Sequence, residues 1–157
     1  MELVKNLKTS KIIKYTFFAL IGTIALAISS KIKIPFYPVP MTMQTLVVLA
    51  IGIIFGWKLG VATISLYLFE GIIGLPVFAG TPEKGIGLVY FTGPTMGYLL
   101  GFIPAVLFAG LLKVNSKYSS IIRFVINFAL YAFSVSFIYI FGQLFSVNLV
   151  YFFLDLN

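Results

Sequence analysis

The stretch FVINFALYAFSVSFIYIFGQLFSVNLVYFFL, residues 124–154, contains no charged side chain. A straight helix of that length would measure about 46 Å at 1.5 Å per residue. The hydrocarbon core of a bilayer is about 30 Å thick, so such a helix must tilt strongly or break. The segment GQLFSVN, residues 142–148, is the expected break. The stretch therefore predicts a membrane-spanning segment near the end of the chain.

The rest of the chain has the same character. Apolar residues make up 61% of its 157 residues, charged residues only 10%, and the mean hydropathy is +1.09. A soluble domain of this size carries about 25% charged residues. The apolar runs do not alternate with polar residues, which favours helices over a barrel. Composition thus predicts an all-α integral membrane protein, residues 1–157 forming one bundle of about five transmembrane helices.

Glycine and proline residues suggest where these helices begin and end. The expected spans are about 12–30, 41–55, 59–74, 93–113 and a last one that begins after Arg123. Pro35, Pro38 and Pro40 make the first loop non-helical and favour an extended segment. Pro94 suits the first turn of the fourth helix, and Pro104 should kink that helix.

The net charge of +7 reports orientation rather than a nucleic-acid partner. Basic residues flank the apolar runs, as the positive-inside rule requires of cytoplasmic loops. With a cytoplasmic N-terminus, three of the 11 basic residues, Lys31, Lys33 and Lys84, fall outside. The other eight fall inside: Lys5, Lys8, Lys11, Lys14, Lys58, Lys113, Lys117 and Arg123. The pattern predicts a multi-pass protein whose N-terminus is cytoplasmic.

Residue types that commonly carry catalysis are missing from the sequence. It contains neither cysteine nor histidine, and it lacks the Walker pattern. Catalytic triads, zinc sites and phosphate loops need those groups or paired acids. We therefore expect no enzymatic activity, no cofactor and no metal.

Two polar residues inside predicted spans are candidates for ligand binding. Glu70 is an acid in a span, and intramembrane acids are usually functional. It could equally face a wet cavity or pair with Lys84 without touching substrate. Gln44 offers an amide donor and acceptor to an amide- or urea-like ligand. Its alternative role is a hydrogen bond between helices, worth about 0.6 kcal/mol on average.

Aromatic and small residues allow both functional and packing interpretations. Tyr90 and Tyr98 could stack on a ring, although tyrosines are equally common at the membrane interface. Glycines recur at four-residue spacing, which lets helix backbones approach closely. These glycines are Gly52, Gly56 and Gly60 around the second span, and Gly93, Gly97 and Gly101 in the fourth.

Three separated motifs then resemble those of one family, in the same order. They are IPFYPVPMTMQTL (34–46), GLPVFAG (74–80) and GPTMGYLLGF (93–102). The chain resembles the BioY family, the biotin-binding S components of energy-coupling factor (ECF) transporters, over roughly residues 27–112. A small departure is Met96, where the family usually has glycine.

The resemblance implies a six-helix fold in a bacterial cytoplasmic membrane and a biotin pocket closed by the first and third loops. It also implies partners, namely a transmembrane coupling subunit and two ATPase subunits. Gln44 falls on the family's T-x-Q-T motif, and Thr95 and Tyr98 fall on its G-P-T-x-G-Y motif. Tyr90, Glu70 and Lys84 complete the candidate site, with Lys84 as the cation for the carboxylate of biotin.

Other features of the resemblance leave alternatives open. Family members usually end with a sixth helix preceded by P-x-x-P-G-D-x-x-K, and Asp155 does not stand in that context. The sequence is thus expected to be C-terminally short. Alternatives to biotin uptake are a degenerate assembly or regulatory subunit without ligand binding, and an S component for another vitamin. Ala19, Thr23 and Ala27 could form a docking face for the coupling subunit, or pack internally.

Overall fold

The computed structural model describes residues 2–34, 41–83, 85–111 and 119–155. Four α-helices dominate it: α1 Glu2–Lys31, α2 Gln44–Ile72, α3 Met96–Leu111 and α4 Ser120–Asp155. Two short antiparallel strands, β1 Lys33–Ile34 and β2 Met41–Thr42, flank the proline-rich segment 35–40, which lies outside the described residues. A 3-10 helix, Gly87–Thr92, precedes α3. The all-α bundle predicted from composition is confirmed.

Helix α2 is a hairpin of two apolar arms, residues 44–55 and 57–72. Gly56 has φ 75° and ψ 171°, a backbone conformation that is not helical and is open essentially only to glycine. A Cβ added to Gly60 would lie 3.6 Å from the Cα of Gly52, whereas in a straight helix those residues are about 12 Å apart. The second and third predicted spans therefore fold back on each other as antiparallel neighbours.

The helices pack side by side in the order α1, α2, α3, α4. Glycines permit the closest approaches: Gly52 of α2 meets the Val106 carbonyl of α3, and Gly101 of α3 lies against Ile138 of α4. Side chains at 0% exposure, such as Leu26, Ile64 and Ala105, fill the interior. The packing interpretation of the glycine spacing holds at Gly52 and Gly101, while Gly56 forms the bend.

The small residues of α1 face the interior of the bundle. Ala19 and Thr23 are 7% and 2% exposed, and Ala27 packs against the core. Gly22, on the same face, meets Thr63 and Phe55 of α2. The internal-packing interpretation of this face is therefore correct, and these side chains offer little surface to a partner subunit.

Two sequence-based boundaries are wrong. Helix α4 is continuous from Ser120 to Asp155 and has no break at residues 142–148, so a strong tilt remains as the way to fit its length. At Gly142 the ring of Tyr98 occupies the space that a side chain would take, so a larger residue would collide with it. The fourth span starts at Met96, so Pro94 precedes the helix, while Pro104 lies inside it.

The outer surfaces of α1 and α4 are apolar. Ile13, Phe17 and Ile24 of α1 and Phe124 and Phe128 of α4 are each at least 59% exposed. In the described part of the chain, three helical stretches are long and apolar enough to cross a membrane: 11–31, 44–72 and 120–148. Because α2 bends at Gly56, its stretch forms two apolar arms that are each shorter than the whole, and the shorter apolar α3 lies beside them. The chain is therefore a membrane protein, and lipid surrounds the bundle.

Candidate functional site

The polar groups of the bundle meet at the end opposite the Gly56 bend, around the loop 76–81. The Lys31 ammonium donates to the carbonyl oxygens of Pro76 and Phe78, each at 3.0 Å, and to the Thr81 carbonyl at 3.3 Å and hydroxyl at 3.1 Å. The Ser30 hydroxyl donates to the Val77 carbonyl at 2.9 Å. The C-terminal end of α1 thus holds this loop mainly through the backbone carbonyls of the loop.

Gln44 and Tyr67 hold the loop from α2. The Gln44 Nε2 donates to the Tyr67 Oη at 2.6 Å, and that hydroxyl donates in turn to the Val77 carbonyl at 2.9 Å. The Thr42 hydroxyl donates to the Gln44 Oε1 at 3.2 Å. Gln44 and Tyr67 are 3% and 0% exposed, so each needs these partners to offset its burial. Among the described residues, one N–H of the Gln44 amide and one lone pair of its oxygen have no partner.

Phe78 lies at the centre of an aromatic cluster below the loop. Its ring is 5.3 Å from the ring of Tyr67 in an edge-on arrangement, 4.9 Å from that of Tyr90 and 5.5 Å from that of Phe91. The ring lies directly over Gly71 of α2, where a side chain would collide with it. The cluster provides flat apolar walls beside the polar groups of Gln44 and Tyr67.

Tyr90 closes the other side of the cluster from the 3-10 helix. Its hydroxyl donates to the Ala79 carbonyl at 2.8 Å, and the side chain is 3% exposed. Burial raises the pKa of the Tyr90 phenol above its ordinary value, while hydrogen bonding with the Thr95 hydroxyl acts in the opposite direction. Tyr90 is therefore a neutral hydrogen-bonding group, and Thr95 lies beside it.

The remaining sequence-predicted residues lie in different surroundings. Tyr98 is half-buried at the α3–α4 contact, with its ring over Gly142 and edge-on to Tyr139 at 6.2 Å. Glu70 is half-exposed, one helical turn beyond Tyr67 on α2. Lys84 lies outside the described residues. The structure thus brings Gln44, Tyr90 and Thr95 to one end of the bundle and places Tyr98 against α4.

Sequence reasoning missed Ser30, Lys31, Tyr67 and Phe78. Lys31 was assigned to topology alone, because a lysine at a helix end is the usual interfacial anchor. Its acceptors are three backbone carbonyls and the Thr81 hydroxyl, 45 to 50 residues away, and no spacing rule predicts such contacts. The motif GLPVFAG contains two of the four acceptors, Pro76 and Phe78, so the motif itself was the available signal.

The arrangement suits a small ligand that combines a flat apolar body with an amide-like group. The aromatic rings and the Gln44 amide are the residue types such a ligand needs, and in this structure they are buried against one another. Hydrogen bonds made there are stronger than hydrogen bonds at the surface, because the local dielectric constant is lower. The described residues around the loop thus provide binding chemistry.

Comparison with known proteins identifies the family. The family model of the BioY family matches residues 3–155. A probable biotin transporter BioY of Pyrococcus horikoshii is 36% identical over 92 residues, which are 59% of this chain and 55% of that protein. The biotin transporter BioY of Thermotoga maritima is 38% identical over 97 residues, 62% of this chain and 56% of that protein. The chain spans little more than half the length of these two relatives.

A longer match and a solved structure extend the comparison. The biotin transporter BioY of Rhizobium etli is 32% identical over 144 residues, 84% of this chain and 75% of that protein. The crystal structure of the S-component for biotin from an ECF-type ABC transporter superposes with a TM-score of 0.69 at 24% identity. The superposition covers 87% of this chain and 73% of the S-component, which establishes a shared fold. With a family model that matches almost its whole length, this chain belongs to the BioY family.

Proposed function

We propose that the chain binds biotin at the end of the bundle formed by the loop 76–81 and carries it across the membrane as the substrate-binding subunit of an ECF-type transporter. The observation that supports this most is the convergence of three family motifs in space. Gln44 from the first, the loop 76–81 from the second and Thr95 from the third lie around one aromatic cluster.

The chemistry of biotin fits these groups part by part. Its ureido group is an amide-like donor and acceptor, which the free N–H and lone pair of Gln44 can pair with. Its fused rings can pack on Tyr90 and Phe78, and Thr95 can add a hydroxyl. Tyr98 and Glu70 are proposed for the rim of the site. The valerate carboxylate needs a cation or several N–H donors, for which we propose Lys84.

Backbone donors next to Lys84 are partly occupied. The Gly85 N–H donates to the Pro82 carbonyl at 2.9 Å, so it is not free for a carboxylate. This places more of the charge compensation on the lysine side chain. We propose that transport further requires a transmembrane coupling subunit and ATPase subunits, as the family resemblance implies. The structural relative is itself the S-component of an ECF-type ABC transporter.

Biotin binding by the purified protein in detergent tests the proposal. Equilibrium dialysis with radiolabelled biotin should show saturable binding that unlabelled biotin displaces and thiamine does not. Gln44→Met should weaken binding, while Gln143→Met, which changes an exposed glutamine of α4, should leave it unchanged. Displacement by thiamine would indicate another vitamin.

A second candidate function is an assembly or regulatory subunit that binds no ligand. The observation that favours it is that Gln44, Tyr67 and Tyr90 already have hydrogen-bond partners within the chain. Absence of saturable biotin binding, combined with an intact helical circular dichroism spectrum, would support this alternative and overturn the first.

A further inference from the structure

A groove of about 470 Å³ lies at the opposite end of the bundle, where the two arms of α2 join. Tyr15 of α1 forms one side, and Phe55, Trp57, Lys58 and Leu59 of α2 form the other. The groove is unrelated to the proposed biotin site, which lies at the far ends of the same arms. Its size falls within the range of small-molecule sites.

The charge around the groove is positive. The Lys58 ammonium lies 5.4 Å from the centre of the Trp57 ring and is exposed. Lys11 lies one turn before Tyr15 on the same face of α1, and Lys14 is its neighbour in sequence; both are exposed. Lys58 thus lines a groove whose walls are otherwise mainly aromatic and aliphatic, and Lys11 and Lys14 lie near it on α1.

This combination matches one ligand class, an anionic phospholipid. The groove lies at the level where α1 leaves its apolar span, which is the level of headgroups, and Trp57 and Tyr15 are the residue types found there. Basic pockets between membrane helices bind anionic headgroups, and the apolar walls can accept the first part of an acyl chain. A zwitterionic headgroup carries its own cation, which would lie close to Lys58 and weaken the attraction between Lys58 and the phosphate.

We propose that this groove is a binding site for an anionic phospholipid such as phosphatidylglycerol, with Lys58 contacting the phosphate and Tyr15 and Trp57 lining the chain near the headgroup. The bend at Gly56 forms the site, because it places Phe55, Trp57 and Lys58 of α2 opposite Tyr15 of α1.

The single tryptophan of the chain makes the proposal testable, since Trp57 lies in the groove itself. The full chain would be reconstituted in phosphatidylcholine nanodiscs with increasing amounts of brominated phosphatidylglycerol or brominated phosphatidylcholine. Bromine quenches tryptophan fluorescence at contact distance. We expect phosphatidylglycerol to bind about fivefold better than phosphatidylcholine, because one interfacial lysine contributes that much.

Lys58→Gln should abolish the preference, and Lys33→Gln, which changes an exposed lysine at the other end of the bundle, should keep it. Excess glycerol phosphate should not relieve the quenching if an intact lipid is the ligand. Equal quenching by both lipids in the unaltered protein, or a preference that survives Lys58→Gln, would overturn the proposal. Absence of quenching by either lipid would also overturn it and would point to a protein partner in the groove.

Discussion

The Gln44 side-chain nitrogen lies 2.6 Å from the Tyr67 hydroxyl, although 23 residues separate them in sequence. This hydrogen bond joins the two arms of α2 at the ends farthest from the Gly56 bend. The same hydroxyl donates to the Val77 carbonyl, so one tyrosine connects the hairpin to the loop of the candidate site. Packing of the hairpin and shape of the site are therefore coupled through Tyr67.

Tyr67→Phe should destabilise the protein by about 1–3 kcal/mol, because it leaves a buried amide N–H without its acceptor. The Val77 carbonyl would still accept from Ser30, so the loss concerns mainly Gln44. The measurement is the thermal unfolding midpoint in detergent. Tyr139→Phe, at a tyrosine that is 39% exposed, is the matched control and should leave the midpoint unchanged. Equal midpoints for both variants would contradict the role given to Tyr67.

Lys31→Met should loosen the loop 76–81 while leaving the helices intact. The variant keeps most of the aliphatic stem and removes four ammonium contacts. Because Lys31 is exposed, the expected effect on global stability is small, about 0–1 kcal/mol. Hydrogen exchange at the backbone amides of the loop should become faster, and Lys33→Met should not change it. Unchanged exchange in the Lys31 variant would show that the hydrogen bonds from Ser30 and Tyr67 are enough to hold the loop.

Gly56→Ala should destabilise the hairpin without any steric clash. A Cβ at this position meets no atom within 4 Å, so the whole cost is the backbone conformation, of order 1–3 kcal/mol. Gly93→Ala is the control, because its φ of −86° suits any residue and its nearest neighbours are at ordinary contact distance. Urea or thermal unfolding in detergent measures both. If the Gly56 variant is as stable as the control, the backbone at residue 56 does not need the conformation that favours glycine.

Lys84→Met tests the proposed partner of the biotin carboxylate. If the charge holds the carboxylate, biotin affinity should fall by roughly 1.5–3 kcal/mol, and a neutral biotin amide should bind about as before. Equal losses for both ligands would mean that the substitution disturbs the loop, and no loss for either would remove Lys84 from the site. Glu83→Gln, at the exposed neighbouring position, is the control.

The proposed orientation, with a cytoplasmic N-terminus, can be tested directly because the chain has no cysteine of its own. Glu83 and Ser120 are both exposed, and the positive-inside rule places them on opposite sides of the membrane. In intact cells an impermeant maleimide should label Glu83→Cys and leave Ser120→Cys unlabelled until the cells are opened. The reverse pattern would invert the topology.

Much of the fold follows from local properties of the sequence. Length and continuity of the apolar runs require helices, since a lipid-exposed backbone must satisfy its own hydrogen bonds. Gly74 and the prolines of residues 35–40 mark ends of predicted segments because their effect on the backbone is local, whereas the bend at Gly56 was not predicted. The family motifs likewise identify Gln44 and Thr95 as candidates, and Tyr90 is a candidate only as an aromatic residue that could stack on a ring. Whether these residues contact a ligand stays a prediction.

The tertiary structure decided what these residues touch. Tyr98 stands in the same motif as Thr95, yet the rotation of α3 turns its ring toward Gly142 of α4. Lys31 looked like an interfacial anchor, but the course of the chain brings the carbonyls of residues 76–81 within its reach. Helix α4 continues through residues 142–148, and at Gly142 it packs against the ring of Tyr98 of α3. Such contacts depend on the positions of distant segments, and a sequence pattern specifies only its own neighbourhood.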